Sequence, residues 1–398
     1  MSEYQETTSE PSRVPADLSG YTIVCGEDYT EAAAELNALL AGEGIELPVR
    51  RAADGIPPER TVRIGCPGEE LLPRLTWRVA CRGDGTVALL CGGPFSAIRC
   101  ARAFAALRKD PALPAAGDVR PEVPDRGSSD LRIMTANILA DRWSREKWLR
   151  GCRSVAVRTE LFAEAIAATL PDAIGVQESD REWLDRLPEH LDRVRRETGA
   201  DYDWLFRDVT GRQTLTTILY RRDRYSVRDS GYRLAPYWVT DDHDYQLRMY
   251  VWAHLCRIDR PASGFCLVNT HWGIEKERPL DSMAEAETVS DLVRRGVPIF
   301  CTGDFNAGPD SGPMTDFVAA CGLRSARTEA REAGTLFRET DGCGYIDTPR
   351  THTHVQIDHI LFRGDLRVDR YDLLSEGAMT NLSDHSPQFA DFTLTDIH

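Results

Sequence analysis

The sequence predicts an α+β protein with more than one β-sheet, preceded by a small α/β domain. Three observations lead to this class. Strand-like runs recur from residue 131 to the end, with helical segments between only some of them. Residues 21–107 carry a shorter series of strands with one helix near each end. Between these parts, residues 110–130 hold four prolines, two glycines and two serines without periodicity, as is typical of a linker.

In the first part, residues 1–18 read as a flexible tail and residues 19–109 as the small α/β domain. A buried strand at 21–26 precedes a helix at 28–40, which Gly42 could end. The last two strands flank an Arg-Gly-Asp-Gly turn at 82–85 and lead into a second helix. The predicted strands after the first helix are 62–65, 77–81 and 87–91, and the second helix is 94–107.

Residues 131–398 are predicted to form the second, larger domain. Eight runs in it read as strands, and the clearest helices are 158–170 and 279–295. The predicted strands are 131–139, 173–177, 216–220, 250–257, 265–270, 298–302, 357–362 and 388–394.

Composition and charge limit the class of protein. Of 398 residues, 42% are hydrophobic and 28% charged, which is ordinary for a globular chain. The net charge of −15 disfavours a broad nucleic-acid-binding surface. The longest stretch without a charged residue, 261–274, is shorter than the ~20 residues of a membrane-spanning helix. Residues 1–20 lack the basic start and apolar core of a secretory signal, and the eleven cysteines form no CxxC pair, so free thiols in the cytoplasm are expected.

Polar side chains recur where the strands of the second domain begin or end. A carboxylate beside a buried strand is costly unless it is paired or bound to a metal. Because six strand ends share this habit, the sequence predicts one shared polar site at an edge of the sheets. The residues are Asn137, Gln177, Glu178, His271, Asp304, Asn306, Asp358, Asp384 and His385.

The residue types in this set favour metal-assisted hydrolysis of a phosphate ester. Glu178 with Asp358 or Asp384 supplies hard oxygen ligands, and no cysteine or histidine cluster has zinc spacing, so Mg²⁺ or Mn²⁺ is favoured. A histidine can act on a phosphoryl oxygen or a proton, an aspartate can orient or deprotonate water, and an asparagine can donate to an anion without adding charge. In this chain the histidines are His271 and His385, the aspartate is Asp304, and the asparagines are Asn137 and Asn306.

The segments resemble the endonuclease/exonuclease/phosphatase superfamily, also called the DNase I-like family. Its ordered signatures are a strand with Asn, a QE pair, NTH, GDFN, an ID pair and SDH. All six occur here in that order, within residues 131–394, at Asn137, Gln177-Glu178, Asn269-Thr270-His271, Gly303-Asp304-Phe305-Asn306, Ile357-Asp358 and Ser383-Asp384-His385. The resemblance implies a sandwich of two mixed β-sheets with outer helices.

The resemblance also implies a role for each matching residue. Glu178 would be the main Mg²⁺ ligand, with Asn137 nearby and Asp384 close to the same ion. Asp304 would position or activate the water, or a metal-bound hydroxide would be the base. The remaining roles concern the phosphate: Asn306 would hold it, His271 would stabilise charge on its oxygens, and His385, oriented by Asp358, would contact it.

One stretch departs from the family pattern. Many members place a Tyr or Asn near the phosphate before the strand at 216–220, where this chain has Thr214, Thr216 and Thr217. The match is loose, so these threonines are left out of the catalytic set. The arginines that follow, Arg221, Arg222 and Arg224, are interpreted as surface charge.

Four features bear on the substrate. Segment 141–158 holds six basic and two acidic residues with Trp143 and Trp148, and it could bind a polyphosphate, base or sugar or form an inward-packed helix. Trp272 and Trp238 could stack on a ligand, although core packing is the commoner use. His352 and His354 alternate on a run that lacks a third metal ligand. Residues 21–93 are loosely similar to the domain that precedes the barrels of hexosaminidases and α-glucuronidases, which favours a carbohydrate substrate.

The leading hypothesis is therefore a cytoplasmic, Mg²⁺-dependent phosphatase acting on a small phosphorylated metabolite, such as a sugar or inositol phosphate. The acidic charge favours it. A nuclease or nucleotide phosphodiesterase is the alternative, supported by the basic, aromatic segment 141–158. A non-catalytic binding module of the same fold is the third possibility.

Overall fold

A computed structural model of the chain describes residues 14–57, 59–118, 120, 123, 125–141, 153–209, 212–213, 215–235, 249–333, 356–374, 379 and 381–394. The chain divides into two compact units, residues 1–120 and 121–398. No helix in the described ranges is both long and apolar enough to cross a membrane. The nine cysteines of these ranges are all free thiols; Cys152 and Cys343 lie outside them.

The first unit is built on a six-stranded mixed sheet in the order β2-β1-β3-β5-β4-β6. Its strands are β1 (Thr22–Cys25), β2 (Val49–Arg51), β3 (Thr61–Ile64), β4 (Thr76–Cys81), β5 (Val87–Cys91) and β6 (Ala116–Asp118). The helices α1 (Thr30–Ala41) and α2 (Pro94–Lys109) contact each other. Two short 3-10 helices are Glu27–Tyr29 and Ala52–Asp54.

Two stretches outside the predicted small domain are tied to this unit. Strand β6 lies within the predicted linker 110–130 and pairs antiparallel with β4. Within the predicted tail 1–18, the main-chain oxygens of Pro15 and Ala16 accept hydrogen bonds from the Arg108 side chain, and Leu18 is buried. Hydrogen bonds to residues distant in sequence fix both stretches, and a local sequence pattern does not reveal such contacts.

The second unit contains two sheets, of seven and six strands, which confirms the predicted α+β class. The seven-stranded sheet runs β18 (Glu332–Ala333), β20 (Leu366–Leu373), β21 (Gln388–Leu394), β7 (Leu131–Asn137), β8 (Ala173–Gln177), β12 (Thr216–Arg221) and β9 (Tyr202–Leu205). The six-stranded sheet runs β13 (Tyr225–Leu234), β14 (Met249–Arg257), β15 (Gly264–His271), β16 (Ile299–Asp304), β19 (Asp358–Arg363) and β17 (Arg324–Ser325). A two-stranded ribbon joins β10 (Asp208–Val209) and β11 (Arg212–Gln213).

An apolar core lies between these two sheets. Ile133 and Ile218 from the seven-stranded sheet meet Leu255 and Phe300 from the six-stranded sheet in one buried cluster. The helices are α3 (Val155–Thr169), α4 (Arg181–Thr198), α5 (Arg278–Val293), α6 (Gly312–Cys321) and α7 (Ala326–Glu329), with a 3-10 turn at Glu275–Glu277. Pairs α3/α4 and α5/α6 are in contact. A second cluster packs α5 and α6 against the six-stranded sheet, as in a layered sandwich with outer helices.

Candidate active site

Strand register brings the polar strand ends to one edge of the sandwich. Strands β7 and β8 are parallel and end side by side, with Asn137 opposite Gln177. Strands β15 and β16 are also parallel, and His271 lies opposite Asp304 at their ends. Strand β19 is antiparallel to β16 and therefore begins at the same edge, with Asp358 opposite Asp304. Short-range sequence patterns thus become a single three-dimensional cluster.

Asp304 lies at the centre of this cluster. Its Oδ2 atom accepts a hydrogen bond from Asn137 Nδ2 at 3.1 Å and lies 3.4 Å from His271 Nε2 and 3.8 Å from His385 Nε2. Its Oδ1 atom accepts from the Asn306 main-chain N–H at 2.8 Å. Burial raises the pKa of Asp304 to about 6, even though the nearby charge of His385 opposes the shift.

Glu178 occupies a left-handed backbone conformation, with φ of 65°, which is uncommon for a residue other than glycine. Asn137 Nδ2 donates to its Oε1 at 2.9 Å, and the Ala140 main-chain N–H donates to its Oε2 at 3.0 Å. Burial, and next the charge of Asp384, raises the pKa of Glu178 to about 7. The predicted ligands Glu178 and Asp384 are therefore close enough to interact.

Asp358 and His385 form a buried pair beside Asp304. His385 Nδ1 donates to Asp358 Oδ2 at 2.7 Å, so its Nε2 atom faces the centre of the cluster. Burial alone would lower the pKa of His385, but the carboxylates of Asp358, Asp304 and Asp384 outweigh it and raise that pKa well above its ordinary value. These carboxylates therefore favour the protonated imidazole, in which Nε2 carries a proton that faces the cluster.

Hydrogen bonds link the loop after β15 to the loop after β16 in the six-stranded sheet. Asn306 has φ of 47° and donates from Nδ2 to the main-chain oxygen of Trp272 at 2.9 Å. The Trp272 main-chain N–H donates to the Asp304 oxygen at 2.9 Å. One N–H of the Asn306 amide is therefore used to fix the loop, and the amide has a second one.

A buried arginine supports the loop that follows β7, and sequence reasoning did not identify it. Arg158 Nη1 donates to the main-chain oxygens of Ile138 and Leu139 at 2.8 and 2.7 Å. Trp183 Nε1 also donates to the Leu139 oxygen, at 3.0 Å, and its ring lies under the Arg158 guanidinium. Leu139 has φ of 56°, so the backbone is strained at the residue before Ala140, whose main-chain N–H donates to Glu178.

The cluster fits a divalent cation. Ligand atoms of Glu178, His271 and Asp304 lie within 4.8 Å of one another, as do those of Asp304, Asp358 and His385. Asp358 Oδ1 is buried without a hydrogen-bond partner in the described residues. Burial is the main cause of the raised pKa values of Glu178 and Asp304, and the charges of Asp384 and Asp358 add to it. A cation would offset these negative charges, and oxygen ligands suit Mg²⁺.

The other predicted candidates pack in the core, form ion pairs or lie outside the described residues. Thr217 is buried, and its hydroxyl lies 3.2 Å from that of Ser179. Trp272 is fully buried and packs edge-on against Phe305 and Phe317, so its ring belongs to the core. Arg221, Arg222 and Arg224 pair with Asp223, Asp201 and Asp172. Six of the predicted candidates lie outside the described ranges: Trp143, Trp148, Thr214, Trp238, His352 and His354.

Comparison with known families gives one match. The Endonuclease/Exonuclease/phosphatase family model covers residues 134–385, which include every residue of the cluster. A search of curated proteins returned no significant match.

Comparison with solved structures shows the same fold. An endonuclease/exonuclease/phosphatase from Bacteroides vulgatus superposes with a TM-score of 0.54 and 22% identity, covering 67% of this chain and 100% of that one. A family protein from Bacteroides thetaiotaomicron gives a TM-score of 0.51, 20% identity and coverages of 67% and 98%. A mannosyl-6-phosphatase from Bacteroides thetaiotaomicron superposes with a TM-score of 0.51 and 20% identity, covering 66% of this chain and 100% of that one. These similarities confirm the predicted sandwich.

Proposed function

We propose that this chain, which belongs to the endonuclease/exonuclease/phosphatase family and is a phosphoric ester hydrolase, acts as an Mg²⁺-dependent phosphatase on a small phosphorylated metabolite, such as a sugar or inositol phosphate. The observation that carries the proposal is the position of Asp304. One carboxylate lies within 4 Å of Asn137 and of both histidines, in a cluster that fits a cation.

Glu178, with Asp384 beside it and Asn137 bonded to it, would hold the cation. A bound Mg²⁺ would supply positive charge that offsets the charge developing on a phosphoryl oxygen. Mn²⁺ has similar ligand preferences and is expected to substitute.

Asp304 is suited to orienting the attacking water and accepting its proton. Burial raises its pKa to about 6, so near neutral pH it is ionised and more basic than an ordinary aspartate. The Asn137 amide and the Asn306 main-chain N–H hold its two oxygens, so the carboxylate cannot rotate freely. The water oxygen attacks phosphorus as the bond from phosphorus to the leaving oxygen breaks; the leaving oxygen takes a proton from solvent to give the alcohol, and Asp304 returns its proton to solvent.

Three side chains would bind the phosphate group. His385, held through Nδ1 by Asp358, directs its Nε2 at Asp304, and His271 Nε2 faces the same point. Asn306 keeps one N–H for a phosphoryl oxygen while the other fixes the loop. Preorganised donors of this kind stabilise charge that develops in the transition state.

Two observations support a small monoester over a nucleic acid. The net charge of −15 repels a polyanion at long range. One of the solved structures that share the fold is described as a mannosyl-6-phosphatase. The loose similarity of the first unit to a domain of carbohydrate-active enzymes, which stays a prediction, points in the same direction.

The test is a side-by-side hydrolysis assay with Mg²⁺ of a chromogenic phosphomonoester and a chromogenic phosphodiester, with EDTA as control. We expect metal-dependent cleavage of the monoester, after which sugar and inositol phosphates are screened. Preferential cleavage of the diester would overturn the monoesterase proposal in favour of a nuclease or nucleotide phosphodiesterase. An inactive wild-type protein that still binds a phosphate ester would indicate a binding module.

A further inference from the structure

Two buried carboxyl groups on α5 lie behind the site. Asp281 and Glu285 are four residues apart, so they share one face of the helix. Their exposed fractions are 1% and 0%. Buried carboxyl groups are rare in proteins unless a specific partner holds them, and their partners here are informative.

Both carboxyl groups hold the two residues that directly follow His271. Asp281 Oδ2 accepts the main-chain N–H of Gly273 at 2.7 Å, and its Oδ1 accepts the hydroxyl of Tyr250. Glu285 Oε2 accepts the indole N–H of Trp272 at 2.6 Å. A helix on the outside of the sandwich is thereby bonded to the loop that carries the site.

The same two-residue segment is bonded to the GDFN loop on its other side. As described above, the Trp272 N–H donates to the Asp304 oxygen, and Asn306 donates to the Trp272 oxygen. The ring of Trp272 fills the space against Phe305, with centroids 4.9 Å apart. A shift of Trp272 would therefore move His271 and Asn306 together.

We propose that Asp281 and Glu285 are positioning residues that fix His271 and Asn306 by anchoring the Trp272–Gly273 segment. The proposal rests on the phosphatase function proposed above. A displacement of ~1 Å can cost 10²-fold in rate, so an anchor of this kind affects turnover without touching the substrate.

Burial raises the pKa of Glu285 to about 8, so near neutral pH its carboxyl is mainly neutral and still accepts the indole N–H. A glutamine at this position is then a close chemical substitute, whereas a methionine of similar length removes the acceptor. Tyr250 supplies an independent variant, because phenylalanine removes one hydrogen bond to Asp281 and keeps the ring. Tyr202 is its matched control: it lies on β9 at the edge of the other sheet, and its buried hydroxyl donates to the Pro171 oxygen.

The first readout is steady-state hydrolysis of the phosphomonoester at saturating Mg²⁺. We expect Glu285→Met to lower kcat by at least about 10-fold with KM within 3-fold, and Glu285→Gln to keep kcat within 2-fold. Tyr250→Phe should lower kcat by about 3-fold or more, while Tyr202→Phe leaves it unchanged. Full kcat in both Glu285→Met and Tyr250→Phe would overturn the proposal.

The second readout does not depend on activity. Hydrogen–deuterium exchange of residues 304–307 should accelerate in Glu285→Met and Tyr250→Phe but not in Glu285→Gln or Tyr202→Phe. Unchanged exchange in the first two variants would contradict the anchor even if the phosphatase function holds. If the wild type proves inactive, the proposed function fails and exchange alone decides; if Glu285→Met does not fold, the tyrosine pair decides.

Discussion

At the scale of single residues, Asp304 joins parts of the chain that are far apart in sequence. Its side chain contacts Asn137 at the end of β7, His271 at the end of β15, His385 ahead of β21 and the main chain of Asn306 after β16. The sequence could predict these partners because each follows or begins a buried run, where an ionisable side chain is conspicuous. Arg158 and Glu285 could not be predicted in this way, because they act on main-chain oxygens or an indole N–H that no residue spacing identifies.

Glu285 should make the stability of the protein depend on pH. Burial raises the pKa of its carboxyl to about 8 in the folded chain, whereas an ordinary glutamate, as in the unfolded chain, has a pKa of 4.5. Folding therefore favours the protonated form, and this contribution is complete below pH 4.5 and lost as the pH rises through 8. Glutamine cannot ionise, so the Tm of Glu285→Gln should rise relative to the Tm of the wild type between pH 5 and pH 8.

Thermal unfolding of both proteins at several pH values from 5 to 8 measures the difference between their Tm values. The contributions of the other titrating groups cancel in this difference. We expect the gap in Tm to widen by at least about 2 °C, the shift that ~1 kcal/mol produces in a domain of this size. A constant gap would mean that Glu285 keeps an ordinary pKa in the folded protein.

At the scale of elements, the strands that position the site were predicted better than those at the sheet edge. Buried runs such as β8 and β21 match the predicted ranges. The edge strand β13 was not predicted, because charged residues interrupt its apolar pattern, and neither was α4, which is highly charged and contains Pro188. These elements gain their order from tertiary contacts more than from local pattern.

The loop after β7 should tune metal affinity through Arg158. Arg158 holds the Ile138 and Leu139 oxygens through Nη1 while its Nε donates to the Arg153 oxygen, and lysine lacks this second nitrogen and the rigid plane, so Arg158→Lys should loosen the loop that supports Glu178. Partners behind metal ligands typically contribute 10–100-fold to affinity or activity. We therefore expect the Mg²⁺ concentration for half-maximal activity to rise about 10-fold.

Arg132→Lys is the matched control. Arg132 is equally buried, starts from the opposite end of β7 and pairs with Asp391. It should lose stability without a change in the Mg²⁺ requirement. An equal change in both variants would show that Arg158 acts only on overall stability.

At the scale of the whole second unit, polar side chains as well as apolar packing hold the two sheets together. Asn269 of the six-stranded sheet donates to the oxygens of Val176 and Thr217 in the other sheet at 2.9 and 2.8 Å, and Gln177 donates back to it at 2.6 Å. Gly175 leaves the room that this bridge needs. The NTH and QE motifs thus carry a bridge between the sheets next to the residues of the site.

A methyl group at Gly175 would lie 2.1 Å from Thr302 Oγ1 and 2.3 Å from Asn269 Oδ1. Gly175→Ala should therefore lower the free energy of unfolding by about 1–3 kcal/mol, measured by denaturant titration. Gly312→Ala is the control, because a Cβ atom there meets nothing within 4 Å. Equal stability of the two variants would contradict this account of the bridge.

The most direct test of the central claim is Mg²⁺-dependent phosphate release from a monoester by the wild type and by Asp304→Asn. We expect EDTA to abolish release by the wild type. We also expect Asp304→Asn to fold normally and to turn over 10²- to 10⁴-fold more slowly, the usual contribution of a general base. Release that persists in EDTA, or near-normal turnover by a folded Asp304→Asn protein, would contradict the claim that this cluster is a metal-dependent phosphatase site centred on Asp304.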